Sequence, residues 1–276
     1  MTVPTVRRWR LRRPRAGVHF TGDEAQLYRY AFHGLDSLHR TVGGLQGVSI
    51  CEIGPGDFLT SGLAMLAAGA ASYTAIDRFV GDYSCPEAKK WYSAIEMTWS
   101  KLYPSLAWPA WIEAALFPEG YPERVRTCHA PIESTNNLGT FDLVCSFQVG
   151  EHVSDINVFA NSTAKLLKPD GIAVHRVDFG PHGVWLSYAD PLTFLRVPEL
   201  FWRAMGSARG LPNRRRVREF EDAYRAAGLS VTLTDLEHYP ASATDMTRLP
   251  ARYRAMSPES VLTRSATLVA SMENTW

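Results

Sequence analysis

The chain has 276 residues, of which 46% are hydrophobic and 21% are charged, with a formal net charge of +1. This balance is typical of a globular protein and excludes a disordered chain, and the length suits one α/β domain with insertions. The near-neutral charge excludes a global field that would attract nucleic acid or an anionic membrane, and no run approaches the ~20 apolar residues needed to cross a bilayer.

The N-terminal segment is locally basic, with six arginines around Trp9: Arg7, Arg8, Arg10, Arg12, Arg13 and Arg15. One interpretation is a solvated arm, since chain termini are often poorly ordered. The other is a strip that holds a phosphate, an anionic substrate or a neighbouring subunit. The sequence leaves both interpretations open.

The cysteines and the segment after the arginines indicate the compartment. No apolar run follows the arginines, so they do not open a secretory signal. The four cysteines show no paired metal-ligand spacing, and most lie in strand-like runs, where a cysteine is usually a small buried hydrophobe. We therefore expect a soluble protein of the reducing cytoplasm.

After the arm, the pattern alternates between helix and strand. Thr21-Gly-Asp-Glu24 is typical of a capping box and predicts a helix through about Arg40, with Gly43-Gly44 as its stop. A buried strand, a Gly-containing turn, an Ala/Leu-rich helix and a second strand follow at 48–53, 54–56, 61–69 and 72–76. Together they form a βαβ unit, which predicts a parallel sheet with a right-handed crossover.

Three further strands and a closing pair complete the predicted core, at 125–128, 141–147, 172–177, 229–236 and 265–271. A helix at 155–167 is predicted to stop at the breaker-rich turn Lys168-Pro-Asp-Gly171. We predict a single domain, 1–276. Its parts are an arm with a capping helix (1–44), a Rossmann-like core (45–80, 124–182 and 229–276) and two aromatic-rich helical lid insertions (81–123 and 183–228).

The predicted cofactor site is the turn Glu52-Ile-Gly54-Pro-Gly56 after the first strand. Glycine there lets the backbone approach a ligand at the N-terminus of a helix. Asp77 ends the next strand, where a carboxylate can accept hydrogen bonds from both hydroxyls of a ribose. Gly-x-Gly alone is a weak signal. A nicotinamide-dependent enzyme would show a third glycine, but this chain has Leu59 at that position.

The whole pattern resembles that of class I S-adenosylmethionine-dependent methyltransferases, which have an acid two residues before the first glycine. Phe141-Asp-Leu-Val-Cys-Ser-Phe147, then Gln148-Val-Gly-Glu-His-Val153 and Leu-Leu-Lys-Pro-Asp-Gly171, are similar to the same family, so the resemblance covers about residues 47–180. It implies the α/β, Rossmann-like fold of that family, with a mostly parallel seven-stranded sheet. It also implies S-adenosylmethionine as methyl donor, released as S-adenosylhomocysteine.

The resemblance further implies which residues hold the cofactor. The methionine part would lie along Glu52, Gly54 and Gly56, and the sulfonium would lie beside Phe147 and Gln148. The ribose would be held by Asp77, with Arg78 and Phe79 beside it. The adenine would lie near His129, Ala130 and Pro131. The family often has an acidic residue near that position, and His129 departs from this pattern.

Histidines after the fourth and fifth strands are the candidate catalytic bases, because reactive groups gather beyond the carboxyl ends of such strands. Methyl transfer to an alcohol requires an aligned nucleophile and removal of its proton. His152 is the first candidate, since imidazole titrates near ~6.5; a structural hydrogen bond at the start of a helix is the alternative role. His182, oriented by Asp178, is the second, and His175 is expected to be a core histidine.

A metal ion is not predicted. Some small-molecule and RNA 2′-O-methyltransferases bind a divalent ion through Glu-x-x-Glu-His. This chain has Gln148-x-x-Glu151-His152 and lacks the first carboxylate. Asp178 and His182 could supply further ligands, but we expect the enzyme to work without a metal.

The acceptor is predicted from a second resemblance. The Asn/Asp-Pro-Pro-Tyr/Phe motif of many nucleic-acid N-methyltransferases does not follow Phe147, whereas segments 175–182, 190–196 and 211–214 resemble actinobacterial sugar O-methyltransferases of methylated-polysaccharide synthesis. We therefore expect O-methylation of a sugar or oligosaccharide hydroxyl. A small phenolic or polyketide scaffold, an RNA, or cofactor binding without catalysis are the alternatives. No membrane partner is expected, and the apolar insertions are compatible with a homodimer.

Overall fold

A computed structural model describes residues 24–79, 81–134, 138–182, 188–204 and 211–273. The chain divides into two compact units. The first unit contains the described residues up to Phe147 together with Lys165–Val174, and the second contains Gln148–Ala164 and the described residues from His175 onward. The arginine arm and the start of the predicted capping box lie outside the described residues, as does part of the second predicted insertion.

Seven strands form one sheet: β1 (Ser49–Ile53), β2 (Ser72–Ile76), β3 (Val125–Cys128), β4 (Phe141–Phe147), β5 (Leu167–Asp178), β6 (Leu229–His238) and β7 (Thr263–Met272). Their order is β3-β2-β1-β4-β5-β7-β6. β1 pairs in parallel with β2 and β4, and β2 pairs in parallel with β3, whereas β6 and β7 are antiparallel. The predicted Rossmann-like fold with a largely parallel seven-stranded sheet is confirmed.

Nine helices are found in the described ranges: α1 (Glu24–Leu27), α2 (His33–Val42), α3 (Thr60–Ala67), α4 (Pro86–Leu102), α5 (Ile156–Leu166), α6 (Glu199–Ala204), α7 (Val217–Ala226), α8 (Ala251–Arg254) and α9 (Pro258–Leu262). A π-helical stretch, Tyr28–Phe32, joins α1 to α2. α2 ends at Val42 and is followed by Gly43, whose φ of 76° is left-handed, as the predicted Gly-Gly stop requires. No helix in the described part of the chain is long and apolar enough to cross a membrane.

The core of the first unit is built around α3, of which every residue is buried. The rings of Tyr73 on β2 and of Trp91, Tyr92 and Trp99 on α4 are also buried in this core. Most of the aromatic side chains described in the first predicted insertion therefore serve packing. Trp111 differs, because its side chain is exposed.

Gly62, in the middle of α3, allows the helix to approach β2 closely. A Cβ atom at this position would lie 2.5 Å from Cζ of the Tyr73 ring. Alanine normally stabilises a helix interior relative to glycine by about 1 kcal/mol. Because of the overlap, we expect Gly62→Ala to lower the free energy of unfolding by about 1–3 kcal/mol in urea titrations. In a Tyr73→Leu background the same Gly62→Ala substitution should cost less, because the ring that the Cβ would meet is absent; an equal cost in both backgrounds would contradict this packing argument.

The predicted turn at Lys168–Gly171 is wrong, because these residues form the first part of β5. Lys168 donates from Nζ to both carboxylate oxygens of Asp142 on β4, at 2.9 Å each. Gly171 lies so close to β4 that a Cβ there would be 2.8 Å from the carbonyl oxygen of Phe141. Contacts with the neighbouring strand thus outweigh the local preference of Pro169 and Gly171 for a turn.

The second unit has its own apolar core, formed by Leu192, Phe194, Leu195, Trp202, Leu249, Tyr253, Val261 and Leu262. Beside it, the fully buried Arg216 donates to the carbonyl oxygens of Phe179 and Val261, both at 2.7 Å, and to that of Thr263. Burial lowers the pKa of Arg216 to about 10. This side chain anchors the segment that leaves β5.

Candidate active site

The turn that the sequence analysis predicted as the cofactor site follows β1 directly. Gly54 and Gly56 have φ angles of 68° and 85°, a left-handed region that glycine adopts at little cost. The Gly54 N–H donates to the carbonyl oxygen of Ile76 at 2.7 Å and so ties the turn to the end of β2. Apart from Gly56 itself and its two chain neighbours, none of the described residues has an atom within 4 Å of where a Gly56 Cβ would be. The backbone at Gly56 is therefore open for contact with a ligand.

Glu52 lies beneath this turn rather than on its surface. Its side chain is buried, and Oε2 accepts hydrogen bonds from Ser61 Oγ at 2.5 Å and from the hydroxyl of Tyr73. Burial raises the pKa of Glu52, and the two hydroxyl donors partly offset that increase. The carboxyl group thus links β1, α3 and β2. Its direct contact with a cofactor stays a prediction.

Asp77 lies at the carboxyl end of β2, beside the turn. Oδ1 accepts a hydrogen bond from the Phe79 N–H at 2.8 Å, and the Gly56 amide also contributes to holding the carboxylate. Burial nevertheless raises the pKa of Asp77 to about 6, although Arg78 and His129 lower it. The first unit therefore brings together Gly56 and Asp77, which were predicted from separate motifs.

The remaining predicted adenosine residues surround Asp77 or follow β3. The Arg78 guanidinium lies 4.8 Å from the centre of the Phe79 ring. His129 stacks on Tyr83 with ring centres 5.9 Å apart and an interplanar angle of 17°. Ala130 is half-buried and Pro131 exposed. The sequence analysis did not predict that Tyr83 lies beside His129. The position of Tyr83, six residues after Asp77, was the sequence feature that could have suggested it.

Phe147 and Gln148 mark the end of β4. The Phe147 ring packs against Gly34 of α2, where a Cβ would come within 2.9 Å of it. Gln148 begins the second unit; it is exposed, has a left-handed φ of 59°, and donates from its N–H to the carbonyl oxygen of Arg176 at 2.8 Å. A left-handed non-glycine residue at the end of a strand is typical of a functional position.

Glu151, His152 and His182 form a compact cluster in the second unit. One ligand-type atom from each lies within 4.8 Å of the others, and the two imidazole ring centres are 4.9 Å apart. The first two residues come from the short 3-10 turn Gly150–His152 after β4, and the third follows β5 with a left-handed φ of 54°. The sequence analysis predicted both histidines as candidate bases, and it considered Glu151 only as a ligand of a metal ion that it did not expect.

Burial controls the charge of this cluster. The pKa of Glu151 is raised well above its usual value by burial and by the negative charge of Asp178, while the backbone amides of Glu151 and Asp178 offset this in part. The pKa of His182 is lowered by burial, and Asp178 acts in the opposite direction. Both effects favour the neutral forms of the buried groups.

Asp178 is held at the end of β5 by local contacts. Its Oδ1 accepts a hydrogen bond from the Gly180 N–H at 2.7 Å. Its carboxylate acts on His182 through its charge.

By contrast, His175 is fully buried among Phe159, Tyr224 and Thr163, and burial lowers its pKa to about 3. The prediction that His175 is a core histidine is confirmed.

The family of the chain follows from a comparison with protein-family models. A model described as "Methyltransferase domain" matches residues 7–234, which is most of the chain. This chain belongs to the methyltransferase domain family. With the confirmed Rossmann-like sheet, this establishes that the protein is an S-adenosylmethionine-dependent methyltransferase, as the sequence predicted. The contacts of individual residues with the cofactor stay predictions.

Among curated proteins, the methyltransferase is similar to the Ubiquinone biosynthesis O-methyltransferase of Bartonella tribocorum, with 53% identity over 32 residues. That match covers only 12% of this chain and 13% of that protein. The activity of the relative is therefore not carried over to this chain.

Solved structures with a similar fold include magnesium protoporphyrin IX methyltransferase from Synechocystis PCC 6803 with bound SAH, at 14% identity and a TM-score of 0.49, covering 97% of this chain and 93% of that one. Another is 1,6-didemethyltoxoflavin-N1-methyltransferase from Burkholderia thailandensis with bound 1,6-didemethyltoxoflavin and S-adenosylhomocysteine, at 16% identity and a TM-score of 0.46, covering 88% and 79%. Likenesses this distant carry no argument about the acceptor of this methyltransferase.

Asn213 supports the turn that carries Glu151 and His152. Its Nδ2 donates to the carbonyl oxygens of Gly150 at 2.9 Å and Val153 at 3.1 Å, and its N–H donates to that of Glu151 at 2.6 Å. The sequence analysis did not identify Asn213 as a site residue, because nothing local relates it to that turn.

We expect Asn213→Ala to lower the free energy of unfolding by about 1–3 kcal/mol, since two carbonyl groups lose their donor. Turnover by the methyltransferase should fall about tenfold, because the cluster shifts when its backbone is released. Urea unfolding and kcat at saturating cofactor measure the two effects. Asn213→Asp keeps the acceptor for the Arg215 N–H but places a carboxylate oxygen opposite the two carbonyl oxygens, so it should lose at least as much stability as the alanine variant. Full activity in both variants would contradict this role.

Proposed function

We propose that this methyltransferase transfers the methyl group of S-adenosylmethionine to a hydroxyl oxygen of a sugar or oligosaccharide. The observation that carries the proposal is the cluster of Glu151, His152 and His182 after β4 and β5. An alcohol is a weak nucleophile until its proton is removed, and this cluster offers groups that can remove it. A neutral imidazole is sufficient for that step. Burial favours the neutral ring of His182, and the charge of Asp178 favours its protonated form once the proton has moved.

The donor side of the proposal uses the first unit. The left-handed turn of Gly54 and Gly56, with open space beside Gly56, would contact the methionine part of the cofactor, and the Asp77 carboxylate would accept hydrogen bonds from the ribose hydroxyls. Phe79 and the stacked Tyr83–His129 pair would contribute apolar faces near the adenosine. We further propose that the insertions act as lids that exclude water from the sulfonium.

Support for a sugar acceptor comes from exposed aromatic rings and from the second resemblance. Trp111 is exposed and has the Arg124 guanidinium 4.5 Å from its ring centre, and Tyr188 and Phe201 are exposed in the second predicted insertion. Aromatic faces bind the C–H faces of sugars, while neighbouring polar groups bind hydroxyls. The segments 175–182, 190–196 and 211–214 add the similarity to polysaccharide-modifying enzymes noted above.

A panel of acceptors tests the proposal. The full-length enzyme with a methyl-labelled donor would be assayed against monosaccharides, oligosaccharides and matched phenols, and the labelled product identified by mass spectrometry. We expect transfer to at least one sugar, with the label on oxygen. Transfer to phenols but to no sugar would overturn the acceptor class and leave the methyltransferase assignment intact.

The second candidate function is O-methylation of a small natural-product scaffold, such as a phenol or polyketide. The short match to an O-methyltransferase of ubiquinone biosynthesis favours it. A phenol loses its proton more readily than an alcohol, so phenol methylation depends less on the cluster. Phenol transfer that is insensitive to both His152→Ala and His182→Ala would select this candidate.

We also propose a reducing, cytoplasmic location, supported by the four free cysteines Cys51, Cys85, Cys128 and Cys145.

RNA methylation is the remaining alternative, and it depends on the N-terminal arginines. It predicts RNA binding that weakens steeply with salt and is lost when residues 1–16 are deleted. Salt-independent or absent RNA binding would exclude it.

A further inference from the structure

Three side chains of the second unit converge as metal ligands do. A carboxylate oxygen of Glu151 and one ring nitrogen each of His152 and His182 lie within 4.8 Å of one another. Ligand atoms that lie about 2.0–2.2 Å from one zinc ion are at most about 4.4 Å apart, so small side-chain movements would bring these three atoms to binding distance. Glu151 and His152 are adjacent on one turn, and His182 comes from a different segment, so the ligands approach from two sides.

The buried side chain of Glu151 gives independent support for a metal site. Glu151 is 2% exposed, and neither carboxylate oxygen makes a hydrogen bond of normal length and angle with any described residue; the nearby backbone amides of Glu151 and Asp178 offset the cost of burial only in part. No lysine or arginine in the described ranges forms an ion pair with it, and the nearby charge of Asp178 is negative. Nε2 of His182 is likewise buried without a hydrogen bond to the described residues. A buried acid is costly unless a cation or donors compensate it.

We infer that Glu151, His152 and His182 bind one divalent first-row transition-metal ion, with Zn²⁺ as the probe. Two imidazole nitrogens and one carboxylate are a set that such ions accept, with further positions left open, whereas Mg²⁺ and Ca²⁺ prefer oxygen ligands. The sequence analysis did not expect a metal because Gln148 replaces a carboxylate. The structure brings His182, which the sequence analysis named as a possible further ligand, together with Glu151 and His152.

This inference rests on the proposed function and refines the chemistry of the same cluster. The acceptor hydroxyl would bind at an open position of the ion. Binding to the ion would lower the pKa of the hydroxyl, and the hydroxyl proton would leave to water. The resulting alkoxide oxygen would form a bond to the methyl carbon, and the carbon–sulfur bond would break with its electron pair going to sulfur. The two imidazoles then serve as ligands rather than as the proton acceptor.

Metal content and thermal stability test the inference on the full-length protein. After dialysis against a chelator, Zn²⁺ should bind with a stoichiometry of one, measured by inductively coupled plasma mass spectrometry. At about 100 times Kd it should raise Tm by roughly 5 °C. Co²⁺ in the site should give visible absorption bands. Glu151→Gln and His182→Ala should lose both the bound ion and the Tm shift. His33→Ala, which removes an exposed histidine outside the cluster, should keep both.

Glu151→Gln also distinguishes a metal site from a purely structural acid. It keeps the shape of the side chain and removes the buried acid, so without metal its Tm should equal or exceed that of the wild type. A clear fall in Tm in the metal-free state would show that Glu151 has structural partners and would overturn the inference.

Activity separates this inference from the proposed function. Sugar methylation that falls at least a hundredfold on chelation and returns with Zn²⁺, Mn²⁺ or Co²⁺ supports both. Full sugar methylation by metal-free enzyme that still depends on His152 overturns the metal and keeps the proposed function, with imidazole as the base. Stoichiometric Zn²⁺ binding with no transfer to any sugar keeps the metal site and overturns the sugar acceptor.

Discussion

His182→Ala is expected to lower kcat by about 10²–10⁴-fold while leaving the Kd for S-adenosylmethionine unchanged. The proposed role of His182 is confined to the acceptor hydroxyl, and its ring lies within the Glu151–His152 cluster rather than in the unit that contains Gly54, Gly56 and Asp77. Removing the ring takes away a proton acceptor or a metal ligand, and either loss leaves the alcohol protonated. Single-turnover transfer of a labelled methyl group measures the chemical step, and calorimetry measures donor binding.

The control for this experiment is His33→Ala, which should keep the wild-type rate. His175→Ala is a useful contrast, because it creates a cavity beside Phe159 and Tyr224. We expect it to lose stability by about 1–3 kcal/mol and to keep turnover at temperatures where it remains folded. Wild-type turnover in His182→Ala with an alcohol acceptor would refute the assignment of the acceptor chemistry to this cluster.

The part of the fold that carries the proposed cofactor site was predictable because its signals are local. A buried strand followed by Gly54 and Gly56 specifies a left-handed turn into a helix, and parallel strands bring Asp77 to the same edge as that turn. The surroundings of Glu52 were not predicted. Its position in the motif suggested a ligand contact, whereas Ser61 and Tyr73 engage it from within the core.

The histidine cluster was only partly predictable, because it depends on contacts between distant segments. His152 and His182 were identified from their positions after strands, but their convergence on Glu151 follows from how β4 and β5 end. Asn213 was missed since its hydrogen bonds reach back to a turn that no sequence spacing relates to it. The error at Lys168–Gly171 has the same origin, as pairing with β4 outweighed the preference of Pro and Gly for a turn.

Asp77→Ala is expected to raise the Kd for S-adenosylmethionine about 10²-fold or more. The proposed contact comprises two hydrogen bonds from ribose hydroxyls to a carboxylate, each worth about 1.5–3 kcal/mol. Isothermal titration calorimetry measures the change. Asp82→Ala, which removes an exposed carboxylate from the following loop, should bind the cofactor as the wild type does. Equal affinities for the Asp77 and Asp82 variants would rule out the ribose contact.

The same carboxylate should make cofactor binding dependent on pH. Burial raises the pKa of Asp77 to about 6, and only the ionised form can accept from both hydroxyls. Affinity should therefore be constant above about pH 7 and fall towards tenfold per pH unit below 6, where the acid is protonated before the cofactor arrives. Binding near pH 6 must then release about half a proton, which calorimetry detects as a dependence of the heat on the buffer. Asp77→Asn should abolish both the slope and the proton release, whereas a pH-dependent affinity that survives in Asp77→Asn would assign the titration to another group.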